Sequence, residues 1–372
     1  MISKFRIGVL VIILNFFASV ATTWGQVENP SLLQMAVPSL NIAPDARGGG
    51  MGDMGAATLP DINSQYWNAA KYAFMGSKAG VSLSYTPWLR KLVNDVALVN
   101  MTGYYKLGNS DLQAISASLR YFSLGEVNIW ENIGDVPYGL NPYEMAFDVA
   151  YSRKLSESYS MAVTLRYIRS DMGTDQNEES NAGNAFAADI SGYLEKYVLM
   201  GNAEALWSFG FNLSNIGSKI SYDGGNRNQY LPAKLTLGTG LLYPIDDYNQ
   251  IGVYLDLNKY MVPYAPQKKD GETDADFQAR EDDYKSWSSI SGMLKSFTDS
   301  PNGLLKEIMV SVGAEYSYNE QFFVRGGYFY ENANVGNRKY FSVGAGFRMS
   351  VFQLDAAYPV SYTHLTLPTT SR

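Results

Sequence analysis

The feature of this sequence that most constrains its fold is an alternation of apolar and polar side chains with a period of two residues. From Phe341 to Met349 every second residue is apolar, and the residues between them are Ser, Gly or Arg. The same alternation recurs within 112–124, 250–260 and 306–317. Successive side chains of a strand point to opposite faces, so the pattern predicts strands with one apolar and one polar face.

The alternation predicts thirteen strands, and most of them are long. They are expected at 78–88, 94–107, 112–124, 143–154, 158–169, 185–197, 203–214, 231–243, 250–260, 306–317, 321–332, 338–349 and 351–358. Most exceed the roughly 5–6 residues usual in globular sheets and suit strands that cross a bilayer at a tilt. Tyr, Trp and Phe crowd the strand ends, as interfacial girdles require. A transmembrane antiparallel β-barrel is therefore favoured over a soluble β-sandwich or barrel.

The lengths of the connections support the barrel. Tight turns are expected at 107–111, 155–157, 245–249 and 318–320, and longer connections at 125–142, 170–184, 215–230 and 261–305. Short periplasmic turns and long external loops alternate in this way in bacterial outer-membrane barrels. The short connection at 89–93 is the exception on the external side.

The predicted number of strands, thirteen, is one short of an even number. Single-chain bacterial barrels have an even number of strands, so fourteen are expected and the last is missing here. Residues 360–372 include Pro368 and end in Arg372, which does not suit a closing strand. We predict that 360–372 is a non-native tail after a barrel at 77–359, unless 338–358 has been divided wrongly into two strands.

The first 25 residues predict export. Lys4 and Arg6 precede an apolar run at 7–20 that is followed by small residues, as in a secretory signal peptide. The run is shorter than the roughly 20 residues of a membrane-spanning helix, which disfavours the alternative of an anchor. Residues 1–25 are therefore predicted to be a signal peptide of a protein in the outer membrane of a Gram-negative bacterium.

Composition limits the chemistry that this chain can perform. It contains no Cys, a single His (His364) and a formal net charge of −7. The net negative charge argues against nucleic acid as a partner, and the absence of Cys excludes disulfides and Cys-based zinc sites. One His makes Ser-His catalysis improbable. No cofactor, no metal and no enzymatic activity are expected.

The segment 26–76 precedes the first strand and is broken by Gly and Pro. Its glycine run at 48–52 lacks the following Lys of a phosphate-binding loop, so nucleotide binding is disfavoured. Gly and Ala allow backbone to pass close to a barrel wall. We predict that 26–76 is a hatch inside the lumen, which residues 45–70 plug.

The external loop 261–305 and the lumen charges each allow two interpretations. Acidic residues dominate 268–283, which predicts a solvated, mobile loop. Tyr284, Trp287, Ile290, Leu294 and Phe297 follow at helical spacing. That helix either packs on the barrel rim or binds a partner. The inward charges, Arg120, Arg166, Arg348, Asp148, Asp256 and Glu315, are expected to pair with one another rather than to form a substrate track.

The N-terminal segment resembles the hatch of the FadL outer-membrane family. The runs DARGGGMG at 45–52, GAAT at 55–58 and YWNAA at 66–70 carry the likeness. The family's usual Asn-Pro-Ala triplet is Asn-Ala-Ala here. The hatch residues that the resemblance implies are Gly48, Gly49, Gly50, Gly52, Trp67 and Asn68.

A closer resemblance is to the FadL-type shuttle proteins of the type IX secretion system, over about 26–358. It is carried by NIAPDARGGGMGD at 41–53, QYWN at 65–68, FGFNLSNIG at 209–217 and LPA at 231–233. The resemblance implies a 14-stranded barrel that receives the C-terminal signal domain of secreted cargo at the outer-membrane translocon. It would then pass that cargo to a PorU-like surface sortase.

Two other functions stay open at this point. A FadL-like transporter would carry hydrophobic small molecules through the lumen, and an outer-membrane lipid hydrolase would need a His beside its Ser. Membrane lipid is a partner in every case. The shuttle and the transporter differ in where the ligand binds, at the extracellular loops or inside the barrel.

Overall fold

A computed structural model describes residues 33–88, 95–108, 111–129, 138–173, 182–201, 203–223, 228–269, 271–301 and 303–361. Its main sheet has thirteen antiparallel strands: β1 (Ala79–Pro87), β2 (Val96–Leu107), β3 (Gln113–Leu124), β4 (Tyr143–Lys154), β5 (Tyr159–Asp171), β6 (Gly183–Met200), β7 (Ala203–Gly217), β8 (Lys234–Pro244), β9 (Asn249–Tyr260), β10 (Met309–Tyr318), β11 (Phe322–Tyr330), β12 (Lys339–Met349) and β13 (Phe352–Ser361). Every predicted strand is present, and its ends lie within three residues of the prediction.

Each strand pairs with the next one along the chain, so the sheet is a continuous antiparallel meander. Two residues, Ser350 and Val351, separate β12 from β13, and Ser350 adopts a positive φ of 54°. The predicted division of 338–358 into two strands is therefore confirmed. Within the described residues no ladder joins β1 to β13.

The predicted tail overlaps the last strand. β13 ends at Ser361, so it includes the first two residues of 360–372, and Pro359 lies on this edge strand opposite Ser342. A proline is tolerated on an edge strand because its missing N–H faces no partner. The rest of the predicted non-native tail, like the predicted signal peptide 1–25, lies outside the described residues.

The alternation assigns one face of the sheet to the outside and the other to the inside. On β9, Val253 is 50% exposed whereas the next residue, Tyr254, is 2% exposed. On β12, Phe341 and Val343 are exposed while Ser342 between them is buried. The outer face is apolar and the inner face is polar, which is the arrangement of a barrel wall in lipid.

Residues 33–76 lie on the inner face, and the sheet wraps around them. Within this segment are two short helices, α1 (Ala46–Gly49) and α2 (Ser64–Trp67), and 3₁₀ turns at Pro38–Asn41 and Ala69–Phe74. Its hydrogen bonds reach strands as far apart as β2 and β12. Lys106 on β2 donates to the Met75 carbonyl, and the Gly52 amide donates to the Ser342 hydroxyl on β12. A segment that bonds to strands from both halves of the sheet must lie inside it. The predicted fold, an antiparallel membrane barrel with an N-terminal plug, is confirmed.

The external loop between β9 and β10 contains helices α3 (Asp274–Ser286) and α4 (Ser289–Lys295) and a 3₁₀ turn at Leu304–Glu307. Two-stranded ladders join Val127–Ile129 to Tyr138–Leu140 and Ile220–Ser221 to Asn228–Gln229 in other external connections. None of the helices in the described part of the chain is long and apolar enough to span a membrane.

Two adjacent glycines on β11 test the packing of wall against plug. A Cβ added at Gly327 would lie 2.0 Å from the Met51 carbonyl carbon, whereas one at Gly326 would meet nothing closer than 4.0 Å. We expect Gly327→Ala to lower the free energy of unfolding by about 1–3 kcal/mol, the usual cost of overpacking. Gly326→Ala, the control for the unfolded-state effect of losing a glycine, should change it little. Urea titration in detergent measures the free energy of unfolding of both variants. Equal values for the two would show that the plug does not pack closely against β11.

Candidate functional site

Three of the four predicted hatch glycines stand where the plug has no room for a side chain. A Cβ at Gly48 would lie 2.4 Å from the Trp67 ring, and one at Gly50 would lie 3.1 Å from the Cα of Gly344 on β12. Gly52 has a φ of +81°, and its Cβ would lie 2.9 Å from the backbone of Tyr328 on β11. Close packing, against the Trp67 ring for Gly48 and against the wall backbone for Gly50 and Gly52, therefore accounts for these three glycines.

Gly49 differs from its neighbours. The nearest atom to an added Cβ there is Asp53 Oδ1 at 3.9 Å, an ordinary contact distance. The structure therefore gives Gly49 no steric reason to be a glycine. It is the last residue of α1, and Asp45 caps that helix by accepting from the Gly48 amide at 2.9 Å.

The two other predicted hatch residues fix the plug by hydrogen bonds. Trp67 donates its indole N–H to Asp45 Oδ1 at 2.6 Å. Asn68 donates to two carbonyls at 2.9 Å, that of Ala56 in the plug and that of Gly192 on β6, and its Oδ1 accepts from Ala70. Since Asn68 uses its donors and its acceptor internally, it holds the plug to the wall.

Wall residues that the sequence did not mark as hatch residues complete the attachment. Asp256 on β9 accepts from two successive plug amides, Gly55 at 2.9 Å and Ala56 at 3.0 Å. Ser208 on β7 donates to the Ala57 carbonyl at 2.6 Å. Side-chain groups of the wall thus replace water at the plug backbone, which has few regular hydrogen bonds of its own.

A chain of buried ion pairs links the plug to the last strands of the wall. Arg47 of α1 contacts Glu315 on β10 at 2.8 Å and Asp61 in the plug at 2.9 Å. Arg325 on β11 contacts the same Glu315 at 2.6 Å and Asp355 on β13 at 2.6 Å. One carboxylate therefore joins two guanidinium groups, one from the plug and one from the wall.

A second set of buried ion pairs lies on the opposite side of the lumen. Arg166 on β5 contacts Asp148 on β4 at 2.6 Å and Asp189 on β6 at 2.9 Å. The expectation that lumen charges pair is confirmed for these residues and for Glu315. It is wrong for Arg348, which is exposed at the end of β12 and donates to Gln353. It is also wrong for Arg120, which donates to the Ser39 carbonyl, and for Asp256, which accepts from plug amides.

Between the plug and the external half of the wall lies a small cavity lined by charged, polar and aromatic side chains. Charged side chains, Arg120, Asp148, Arg166 and Lys234, line it together with the plug residues Tyr66 and Trp67. Arg120 donates to the Ser39 carbonyl at 3.0 Å and lies over the Tyr66 ring at 4.5 Å. Such a lining does not suit an apolar ligand.

The predicted stripe of the external loop is divided into two parts. Tyr284, at the end of α3, packs edge-on against Tyr230 with ring centroids 5.7 Å apart and against Trp287 at 5.5 Å. Burial raises the pKa of the Tyr284 phenol. Ile290, Leu294 and Phe297 remain exposed, by 64%, 68% and 38%. The stripe thus combines rim packing in its first part with a free apolar surface in its second.

The expectation that one helix carries the whole stripe is wrong. The helix ends at Ser286 and a new one begins after Ser288, whose side chain accepts from the Ser291 amide at 3.2 Å. A serine at this N-cap position accepts from an amide of the first turn, which favours the start of a new helix over continuation of α3. The acidic run 268–283, expected to be a solvated, mobile loop, is largely helical, because α3 spans Asp274–Ser286, and none of the residues of α3 is buried.

Among the described residues no cluster of three or more acidic or histidine side chains is arranged to hold a metal ion. The described site is therefore built from close backbone packing, buried ion pairs and an external helical loop.

The apolar outer wall, the polar inner face and the segment inside it define a membrane β-barrel with an internal plug. Residues 26–268, more than half of the chain, match the family described as type IX secretion system protein PorV. The chain belongs to the PorV family, which places it in type IX secretion and in the outer membrane. No curated protein matches this sequence.

Two solved structures from Pseudomonas species are similar to this chain. A Pseudomonas aeruginosa FadL homologue is 10% identical, with 88% of this chain and 90% of that one covered and a TM-score of 0.42. The Pseudomonas putida toluene transporter TodX is 10% identical, with 82% and 88% covered and a TM-score of 0.43.

The ion pair between Arg47 and Glu315 predicts how firmly the plug closes the lumen. Breaking a buried pair by removing one partner costs about 3–5 kcal/mol. Arg47→Met should therefore loosen the plug and raise single-channel conductance in planar bilayers, in the direction of a variant that lacks 45–70. Arg280→Met, which removes an exposed pair with Glu272, should leave conductance unchanged. If a variant that lacks 45–70 has the same single-channel conductance as the wild type, the segment does not close the pore.

Proposed function

We propose that this protein is a non-enzymatic shuttle of the type IX secretion system. It binds the C-terminal signal domain of secreted cargo at the translocon and delivers the cargo to a PorU-like sortase at the cell surface. Membership of the PorV family supports the secretion role. The observation that carries the choice of binding place is the polar lumen, held closed by the plug.

The lumen favours binding outside the barrel. The plug is attached to β6, β7, β9 and β10 by hydrogen bonds and buried ion pairs. The remaining cavity is lined by charged side chains such as Arg120 and Lys234. A hydrophobic ligand in this space would remove the hydration of charged groups without replacing it, which is costly. The alternative function, FadL-like transport of hydrophobic small molecules, is therefore the weaker proposal.

Helix α3 offers a surface for a protein partner. None of its thirteen residues is buried, although Thr273 caps it and an ion pair joins Glu281 to Lys285 at 3.0 Å. Apart from Tyr284, whose ring packs against Tyr230, the helix leaves its polar surface uncovered by its own chain, and such a surface is suited to bridging to another molecule. Its acidic residues, Asp274, Asp276, Glu281, Asp282 and Asp283, would be complementary to a cargo surface rich in Lys or Arg.

The aromatic contacts of Tyr284 and Trp287 set the position of α3 against the barrel. Tyr284 also donates to the Pro263 carbonyl at 3.5 Å, and Lys295 lies 3.4 Å from the centre of the Trp287 ring. In this proposal, the first part of the stripe contributes to partner binding indirectly. It holds the helix in the orientation that the cargo domain meets.

The proposed function is tested by calorimetric titration of the purified barrel. An isolated cargo signal domain should bind saturably, whereas a long-chain fatty acid in a parallel titration should give no heat of binding. Saturable binding of the fatty acid without binding of the signal domain would establish the transporter instead.

Substitution of Trp287 tests the part played by the loop. Trp287→Ala should weaken binding of the signal domain by about tenfold, or ~1.4 kcal/mol, because α3 loses its aromatic support. Trp207→Ala is a matched control, since Trp207 lies on the outer face of β7 and is 38% exposed. Equal affinities of the two variants would show that the loop does not orient the cargo.

A further inference from the structure

The external loop does more than project from the barrel, because α4 lies on the outside of the wall. Met293 belongs to a buried apolar cluster with Ala233 and Met261, and Leu213 on β7 and Leu235 on β8 pack against this cluster. Leu213, Leu235 and Lys259 are opposite one another in the sheet and form one cross-strand row. In the ladder that joins these three strands, only the row of Ser214, Lys234 and Tyr260 lies nearer the external end.

The side chains of this row point away from the lumen, because they share a face with residues on the outer surface two positions further along each strand. Two residues further into the wall, Phe211, Leu237 and Leu257 form the next row of the same face. Leu237 is 40% exposed and Leu257 is 38% exposed, on the apolar outer surface of the barrel. Residues two apart in a strand share a face and lie about 7 Å apart. Helix α4 therefore covers the rim of the lipid-facing wall.

A buried ion pair beneath the loop indicates that the loop covers an apolar part of the wall. Lys259 occupies an outward position of β9 but is only 6% exposed. Its ammonium contacts Glu307 at 2.5 Å and lies 5.3 Å from the centre of the Phe297 ring. A lysine on the lipid face of a barrel destabilises it unless it reaches water or a counter-charge. The loop supplies both the carboxylate and an aromatic cover.

The outer side of the loop is itself apolar. Ile290 and Leu294 are one turn apart on α4 and are 64% and 68% exposed, and Leu305 beside Glu307 is 83% exposed. The polar end of the helix carries Lys295. Apolar residues on one side and a lysine at the edge are the composition of a helix that lies in a membrane interface.

We propose that α4 and the turn at Leu304–Glu307 form an interfacial anchor, with Ile290, Leu294, Phe297 and Leu305 inserted among the lipids of the outer leaflet. The occupant of this surface is lipid because the surface adjoins the lipid-facing wall at Leu237 and Leu257, and the ion pair of Lys259 with Glu307 in the row between them is buried beneath the loop. The anchor holds α3 above the membrane plane at the side of β7, β8 and β9.

Spin labels at single cysteines test this proposal, and the chain is suited to them because it contains no native Cys. Ile290→Cys and Leu294→Cys would be labelled with a nitroxide in the full-length protein, reconstituted into phosphatidylcholine–phosphatidylglycerol vesicles. Val253→Cys, on the exposed outer face of β9, is the lipid control, and Asp283→Cys, on the exposed face of α3, is the water control. Heat-modifiable migration on gels shows that each variant is folded.

Labels at positions 290 and 294 should be more accessible to oxygen than to a water-soluble nickel chelate, as at position 253. Greater accessibility to the nickel chelate, as at position 283, would overturn the proposal in favour of a water-exposed surface. Low accessibility to both reagents would overturn it in favour of contact with protein. If one of the two substitutions prevents folding, the other, together with Phe297→Cys, gives the same comparison.

Discussion

The structure depends on how the polar inner face of the wall is satisfied. A wall with an apolar outer face must turn its polar residues inward, and these include charged groups that cannot remain unpaired at low dielectric. Neighbouring strands supply some of their partners, as for Arg166, and the plug supplies others, as for Glu315. Asp256 is the clearest case, because its carboxylate lies 1% exposed at mid-wall and accepts from two plug amides, Gly55 and Ala56. The wall and the plug each satisfy groups that the other could not bury alone.

This mutual dependence supports the proposal that the protein binds its partners outside the lumen. A gate needs a state in which the plug leaves its place, and here that state would expose Asp256, Glu315 and the backbone of 48–57 together. The same hydrogen bonds and ion pairs that stabilise the closed lumen therefore oppose its opening. The external loop is free of this constraint, and it divides its residues between support on the rim, an exposed polar helix and an apolar outer surface.

Much of the fold is readable from the sequence because a strand with a period of two repeats a local rule. All thirteen strands follow it, and the place of the plug follows from glycines that tolerate close packing. The partner glycines in the wall, such as Gly327, could not be found, since no spacing in the sequence relates position 327 to Met51. The apolar spacing from Tyr284 to Phe297 does not reveal the break between the two helices, which Ser288 marks by accepting from the Ser291 amide. That α4 turns back over Leu235 and Lys259 depends on contacts between distant parts of the chain, which local patterns do not encode.

Hydrogen–deuterium exchange of the plug amides tests the central claim most directly. If the plug is a fixed part of the barrel, peptides covering 45–70 in the reconstituted protein should exchange as slowly as those from β9 and β10, and much more slowly than those from α3. Exchange of 45–70 at the rate of α3 would contradict the account. It would mean that the bonds of Asp256 and the ion pair of Arg47 open too often to keep the lumen closed.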